Sequence, residues 1–226
     1  MTQAGYQHRY LDNDITELPV GKVVCIGRNF ARHIEELNNK TPKEPVLFIK
    51  PASSIVSLEE PLTLPKDKGS CHFETELALL IGGPNAGLSL PGSATCIAGY
   101  GLGLDLTLRD IQEQLKAEGL PWEKAKAFDG ACAISRFVKP DVIEDVQNIQ
   151  LRLTQNGVIR QNGNTSAMIT PVSSLLAYIN SWFTLQPGDI VLTGTPEGVG
   201  PLALGDQLEV ELVGICRFQT RVNEGQ

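Results

Sequence analysis

The sequence predicts a strand-dominated α+β domain with a few short helices, and three observations carry that reading. Apolar, β-branched runs recur at 23–27, 45–50, 97–106, 149–154, 189–193, 207–212 and 215–222 without the strand–helix alternation of a doubly wound sheet. Asn156-Gly157, the strongest short hairpin signal, joins 149–154 to 158–161. Helical spacing is confined to 29–38, 108–118 and 173–182.

In chain order, residues 1–20 read as a polar leader packed on the edge of a domain spanning 21–226. The strand at 23–27 leads into the short helix 29–38, and the polar stretch 39–44 with Pro42 is loop-like before the strand 45–50. Residues 60–70, rich in Pro, Lys and Gly, are expected to be irregular, as is the turn at Gly82-Gly83-Pro84-Asn85. For the helix 108–118, Thr107 is the expected N-cap with Asp110 three residues on, and Gly119 ends it. In 173–182, Leu175, Leu176, Ile179 and Trp182 are expected on one apolar side. A Pro187-Gly188 turn precedes the strand at 189–193, and Gly214 centres a terminal hairpin.

Composition narrows the function. The chain has 226 residues, 42% of them hydrophobic and 20% charged, as in an ordinary globular protein. A formal net charge of -7 argues against a nucleic-acid surface, and no apolar stretch is long enough to span a bilayer. The start of the chain lacks a secretory signal pattern. Cys25, Cys71, Cys96, Cys132 and Cys216 are odd in number and scattered, which favours reduced thiols in a cytoplasm. Gly99, Gly101 and Gly103 alternate at spacing two, which fails the dinucleotide fingerprint.

The chemistry concentrates in acidic residues. Glu74 and Glu76 lie at i and i+2 of a predicted strand and so project to one face with Ala78 and Leu80, and Asp105 closes a later apolar run. Carboxylates held together against a core repel one another, and a divalent cation such as Mg²⁺ or Mn²⁺ relieves that cost. A solvated strand face is the competing reading. Arg109 and Gln112 follow Asp105 at four and seven residues, on a face opposite Leu108, Ile111 and Leu115, placed to meet an anionic ligand of the metal. His33 and Glu36 at i, i+3 form a general-base pair, against the alternative of incidental surface charge. The glycine-rich loop 193–201 offers backbone N–H groups and Thr195 to an anion, while Lys50 and Lys126 offer positive charge.

These pieces resemble the fumarylacetoacetate hydrolase family, in particular its short bacterial acylpyruvase branch. The matching stretches are Cys25-Ile26-Gly27-Arg28-Asn29-Phe30-Ala31-Arg32-His33, Phe48-Ile49-Lys50-Pro51, Phe73-Glu74-Thr75-Glu76-Leu77, Asp105-Leu106-Thr107-Leu108-Arg109-Asp110-Ile111-Gln112, Pro121-Trp122-Glu123-Lys124-Ala125-Lys126 and Thr193-Gly194-Thr195-Pro196-Glu197-Gly198-Val199-Gly200. They recur in family order; Phe30 stands where tyrosine is common. The resemblance implies a rolled mixed β-sheet, a homodimer, and a Mg²⁺ or Mn²⁺ site of Glu74, Glu76 and Asp105. It implies a small keto-acid substrate bound by Arg28, Lys50, Arg109, Gln112 and Thr195, with His33, Glu36 and Lys126 catalytic. Hydrolysis of 3-acylpyruvates ranks first as the expected activity, and oxaloacetate decarboxylation or tautomerisation ranks second. A non-catalytic, metal-dependent dicarboxylate binder is the alternative of another class.

Overall fold

Residues 5–37, 39–82 and 97–224 are described by a computed structural model of the chain. The turn expected at Gly83-Pro84-Asn85, Cys96 and the first four residues lie outside the described residues. The elements in chain order are β1 (Val23–Gly27), α1 (Ala31–Glu36), β2 (Val46–Lys50), β3 (Ile55–Ser57), β4 (Leu62–Leu64), β5 (Cys71–Phe73), β6 (Thr75–Ile81), β7 (Ile97–Asp105) and β8 (Thr107–Leu108). There follow α2 (Arg109–Glu118), α3 (Glu123–Lys126), β9 (Cys132–Ile134), β10 (Gln150–Gln155), β11 (Val158–Asn164), α4 (Val172–Asn180), β12 (Ile190–Leu192), β13 (Gly200–Pro201), β14 (Gln207–Leu212) and β15 (Cys216–Glu224).

A seven-stranded mixed sheet runs in the order β2-β1-β12-β6-β7-β9-β3, with β1–β12 and β3–β9 parallel. A second sheet, β11-β10-β14-β15-β4, packs across it, and β13-β5-β8 forms a small third. Between the two larger sheets lie Leu77, Leu79, Leu102 and Leu104 on one side and Leu151, Leu153, Leu208 and Val210 on the other. Each such buried leucine contributes roughly 1.5–3 kcal/mol. The N-terminal residues lie on the first sheet: the backbone N–H of Leu11 donates to Phe137 O at 3.0 Å, and His8 Nε2 lies 3.0 Å from Gly188 O.

The alternating glycines of β7 have a packing cause. A Cβ at Gly99 would meet the Cβ of Phe137 at 2.9 Å, and one at Gly101 would meet Phe137 and Ser135 side-chain atoms at 3.0 Å. Segment 135–137 therefore crosses the strand too closely for side chains.

Several local expectations yield to tertiary structure. Thr107 is not a helix cap; it sits in β8 opposite His72, and α2 starts after Leu108 with no side-chain cap. The Thr107 hydroxyl is already committed, donating to Asp105 O at 3.2 Å and accepting from Lys126 Nζ at 2.6 Å. Residues 60–70 are not wholly irregular, because Leu62–Leu64 pairs in parallel with β15. Trp182 lies beyond the end of α4 and is 66% exposed, edge-on to Tyr178, rather than buried with Leu175 and Ile179. On α2, Leu115 is buried along with Arg109 and Gln112 instead of on the opposite face. The hairpin at Asn156-Gly157 forms as the sequence predicts, both residues taking positive φ as a type I′ turn requires.

Candidate active site

The floor of the site is a patch of buried charge. Glu74 occupies the break between β5 and β6, Glu76 is the second residue of β6, and Asp105 ends the neighbouring β7. Pairing of Thr75 with Leu104 and Glu76 with Gly103 brings the three side chains together. One oxygen from each lies within 4.8 Å of the others, and all three residues are buried. Glu74 is not inside a continuous strand, yet its carboxylate still joins that of Glu76.

Three cations answer these carboxylates. Lys126 Nζ, at the end of α3, lies 2.8 Å from Glu74 Oε2 and 2.7 Å from Asp105 Oδ2. Arg109, the first residue of α2, pairs with Glu74 Oε1 and donates to Gln112 Oε1 at 2.7 Å. Lys50 Nζ lies 2.8 Å from Asp105 Oδ1. Glu76 has no ion-pair partner among the described residues; its Oε2 accepts from the Gly194 N–H at 2.6 Å.

The ionisation of these groups follows from the pairing. Burial alone would push the Glu74 carboxyl up, but the Lys126 ammonium and Arg109 guanidinium outweigh it and hold it well below the usual carboxylate range. Burial, then the charges of Asp105 and Glu74, push the Glu76 carboxyl well above that range. Lys126 keeps its proton against burial because Asp105 and Glu74 stabilise the ammonium. Three clustered oxygen donors, one without a cation of its own, fit a hard divalent ion that Glu74, Glu76 and Asp105 would hold.

Above the floor stands a rim. α1 presents His33, nearly buried, with Nδ1 at 3.3 Å from Glu36 Oε2. The other Glu36 oxygen accepts from Gly198 N at 3.0 Å, which ties α1 to the glycine-rich loop. Arg28, at a left-handed φ of 62°, and Lys116 both donate to Asn39 Oδ1, at 3.2 and 2.9 Å. Phe48 and Trp122, ring centroids 5.9 Å apart, form the apolar wall, and Lys126 Nζ lies 5.1 Å from the Phe48 ring centre.

His33, Lys126, Arg28, Arg109, Gln112, Thr195 and the three acids line this one cleft, and Glu36 stands behind His33. Lys50, expected to bind substrate, does not reach the cleft. It is fully buried behind Asp105, and Nζ donates to the backbone oxygens of Leu106 (3.4 Å), Ala131 (2.9 Å) and Lys126. A buried ammonium needs every proton satisfied, so Lys50 serves Asp105 rather than a ligand. The loop N–H groups of Gly194 and Gly198 likewise meet the protein's own carboxylates instead of a bound anion. Lys116 and Asn39 were not singled out from the sequence. Lys116 follows Arg109 and Gln112 at seven and four residues, so helical spacing alone points to it; Asn39 sits in a loop with no pattern to mark it.

The family profile described as fumarylacetoacetate (FAA) hydrolase C-terminal matches residues 22–223. The chain belongs to the fumarylacetoacetate hydrolase family. It is 49% identical over 210 residues to oxaloacetate tautomerase YcgM of Escherichia coli (strain K12), covering 92% of this chain and 96% of that one. It is 41% identical over 195 residues to the mitochondrial oxaloacetate decarboxylase of Dictyostelium discoideum, covering 86% and 89%. Among solved structures it is similar to fumarylpyruvate hydrolase from Pseudomonas aeruginosa in complex with Mn²⁺ and pyruvate, with TM-score 0.89, 31% identity and coverage of 99% and 98%. The β-rich fold with its curled mixed sheet is that of the family.

Proposed function

We propose that this protein interconverts the keto and enol forms of oxaloacetate with a divalent cation, Mg²⁺ or Mn²⁺, held by Glu74, Glu76 and Asp105. The observation that carries the reading is the charge of the cleft. Three buried carboxylates are balanced by Lys50, Lys126 and Arg109, while Arg28 and Lys116 converge at the mouth on a single neutral oxygen of Asn39. A divalent ion makes such a cleft strongly positive and suited to a compact dianion with a carboxylate at each end. A monoanionic acylpyruvate such as acetylpyruvate leaves the mouth cations unanswered, whereas fumarylpyruvate, with a carboxylate at each end, answers them as oxaloacetate does. The preference for oxaloacetate over the hydrolysis ranked first from the sequence is supported by the 49% identical tautomerase against the 31% identical fumarylpyruvate hydrolase.

The bound cation supplies Lewis-acid stabilisation of negative charge at the 2-oxo oxygen. Arg109, with Gln112 and the Thr195 hydroxyl, takes the C1 carboxylate, and Arg28 and Lys116 take the distal one. His33, oriented by Glu36, removes a proton from C3 in the keto-to-enol direction. Lys126, its three protons held by Glu74, Asp105 and Thr107, contributes positive charge beside the oxygen where negative charge develops. Solvent gives that oxygen its proton and takes the one held by His33, so the net change is one proton moved from carbon to oxygen, with no water consumed. Oxaloacetate decarboxylation is the second reading, supported by the Dictyostelium relative. It needs no base at C3. A homodimer in a cytoplasm completes the proposal; Cys25, Cys71, Cys132 and Cys216 are unpaired, which supports a reducing compartment.

The test follows loss of enol-oxaloacetate by ultraviolet absorbance and pyruvate release by a coupled dehydrogenase, with Mg²⁺, with Mn²⁺ and with EDTA. Acetylpyruvate and fumarylpyruvate are the hydrolysis controls. Metal-dependent exchange outpacing pyruvate release is the expected result. Cleavage of acetylpyruvate with oxaloacetate exchange no faster than in buffer sinks the proposal.

A further inference from the structure

The geometry points to Gln161 as a positioning residue that aims the hydroxyl proton of Thr195 into the cleft. Gln161 lies on β11, in the second sheet, and is fully buried. Its Oε1 accepts from the Thr75 N–H at 3.0 Å, one residue from each of the two glutamates of the floor. Its Nε2 donates to Thr195 Oγ1 at 2.7 Å and to Pro196 O at 2.9 Å. The amide cannot be turned round, because the Thr75 N–H can only donate and the Pro196 carbonyl can only accept.

A hydroxyl has one proton to give. With Gln161 donating to Thr195 Oγ, that proton must go elsewhere. The carbonyl of Pro196 is 3.5 Å away, too long for a good O–H···O bond, and is already served by Gln161. Thr195 lines the cleft, so an acceptor there, such as a carboxylate oxygen, takes the proton. Gln161 in this way makes Thr195 an obligatory donor to an anion. The packing around it leaves no slack: a Cβ at Gly163 would fall 2.3 Å from Pro196 Cβ, and one at Gly198 would fall 1.9 Å from Arg160 O. Strand β11 is thereby the template for the 193–198 loop.

The inference rests on the proposed dicarboxylate reading of the same cleft. It is tested by calorimetric titration of the Mg²⁺-loaded protein with oxalate, alongside steady-state kinetics on oxaloacetate, in Gln161→Met, Thr195→Val and the double variant. Gln161→Met is expected to weaken oxalate about tenfold and to raise KM by a similar factor, with kcat within about threefold of wild type. Thr195→Val should show a comparable loss, Thr195→Ser little loss, and Gln161→Met should add nothing in the Thr195→Val background, because both remove one hydrogen bond. Should the methionine variant not fold, Gln161→Glu carries the test: it keeps the size and the acceptor for Thr75 but draws the Thr195 proton away from the cleft, with a loss at least as large. Wild-type affinity in the folded Gln161 variant, or losses that multiply in the double variant, overturns the inference alone. A wild-type protein that neither binds oxalate with Mg²⁺ nor acts on oxaloacetate overturns the functional reading and this inference with it.

Discussion

The floor and the rim of the cleft use the same residue types but hold them differently. On the floor Asp105 is fixed by Lys50 and Lys126 and Glu74 by Lys126 and Arg109, with Glu76 held by the Gly194 N–H. These side chains come from strand ends and the first residue of a helix, embedded in a packed core. At the rim, His33 and Glu36 sit on a six-residue helix, and Arg28 and Lys116 share one amide oxygen without a carboxylate. A charge lattice of that first kind is costly to disturb and preorganised for a cation. The looser second kind can change partners when a substrate arrives. On the proposed function, the floor would retain the metal and the rim would choose reaction and substrate.

The comparison breaks most readily at Asp105. Asp105→Ala leaves two buried ammonium groups short of a partner, and we expect it to cost about 3–5 kcal/mol in metal-free urea unfolding. It should also lose metal-dependent turnover. A stable, active Asp105→Ala protein removes the floor from the argument. His33→Ala is expected to keep Mn²⁺ affinity, read by titration, while keto–enol exchange falls about 10²–10⁴-fold and decarboxylation falls less. Equal loss of metal binding would erase the division between floor and rim. Lys116→Met should raise KM for oxaloacetate about tenfold with little change in kcat, and leave thermal stability near wild type.

Glu76→Gln gives the smallest effect and the sharpest sign. The folded carboxyl titrates above its usual value of 4.5, so the metal-free native state keeps a proton that the unfolded chain has already released at higher pH. Native stability is thus lost as pH rises above that value, and the neutral glutamine escapes the loss. Without metal, Glu76→Gln should melt about 2–4 °C above wild type near neutral pH, with the gap closing toward pH 4. Adding Mg²⁺ should reverse the order, because the variant lacks one ligand. A wild-type melting temperature above that of the variant in EDTA at neutral pH contradicts the account.

The pattern of i, i+2 acids exposed the floor because strand geometry, even interrupted at Glu74, sets where both carboxylates point. Helical spacing joined Arg109 to Gln112, and one further turn reaches Lys116. The misreadings share a cause. Thr107 has the composition of a cap and Lys50 that of a substrate cation, but the fold had prior use for both: one hydroxyl and one ammonium to satisfy buried oxygens around Asp105. Gln161 carried no local mark, since its partners Thr75 and Thr195 are 86 and 34 residues away.

What the sequence determined by itself was therefore the inventory with short-range geometry: a strand-rich chain, its hairpins, the acidic triad and the helix that follows it. These are set by backbone periodicity and turn chemistry acting over a few residues. Only the tertiary structure decided which polar groups face the cleft and which are spent on one another. Hydrogen-bond and charge satisfaction in a buried interior is settled between segments distant in the chain, where a proton given to one partner is not free for another.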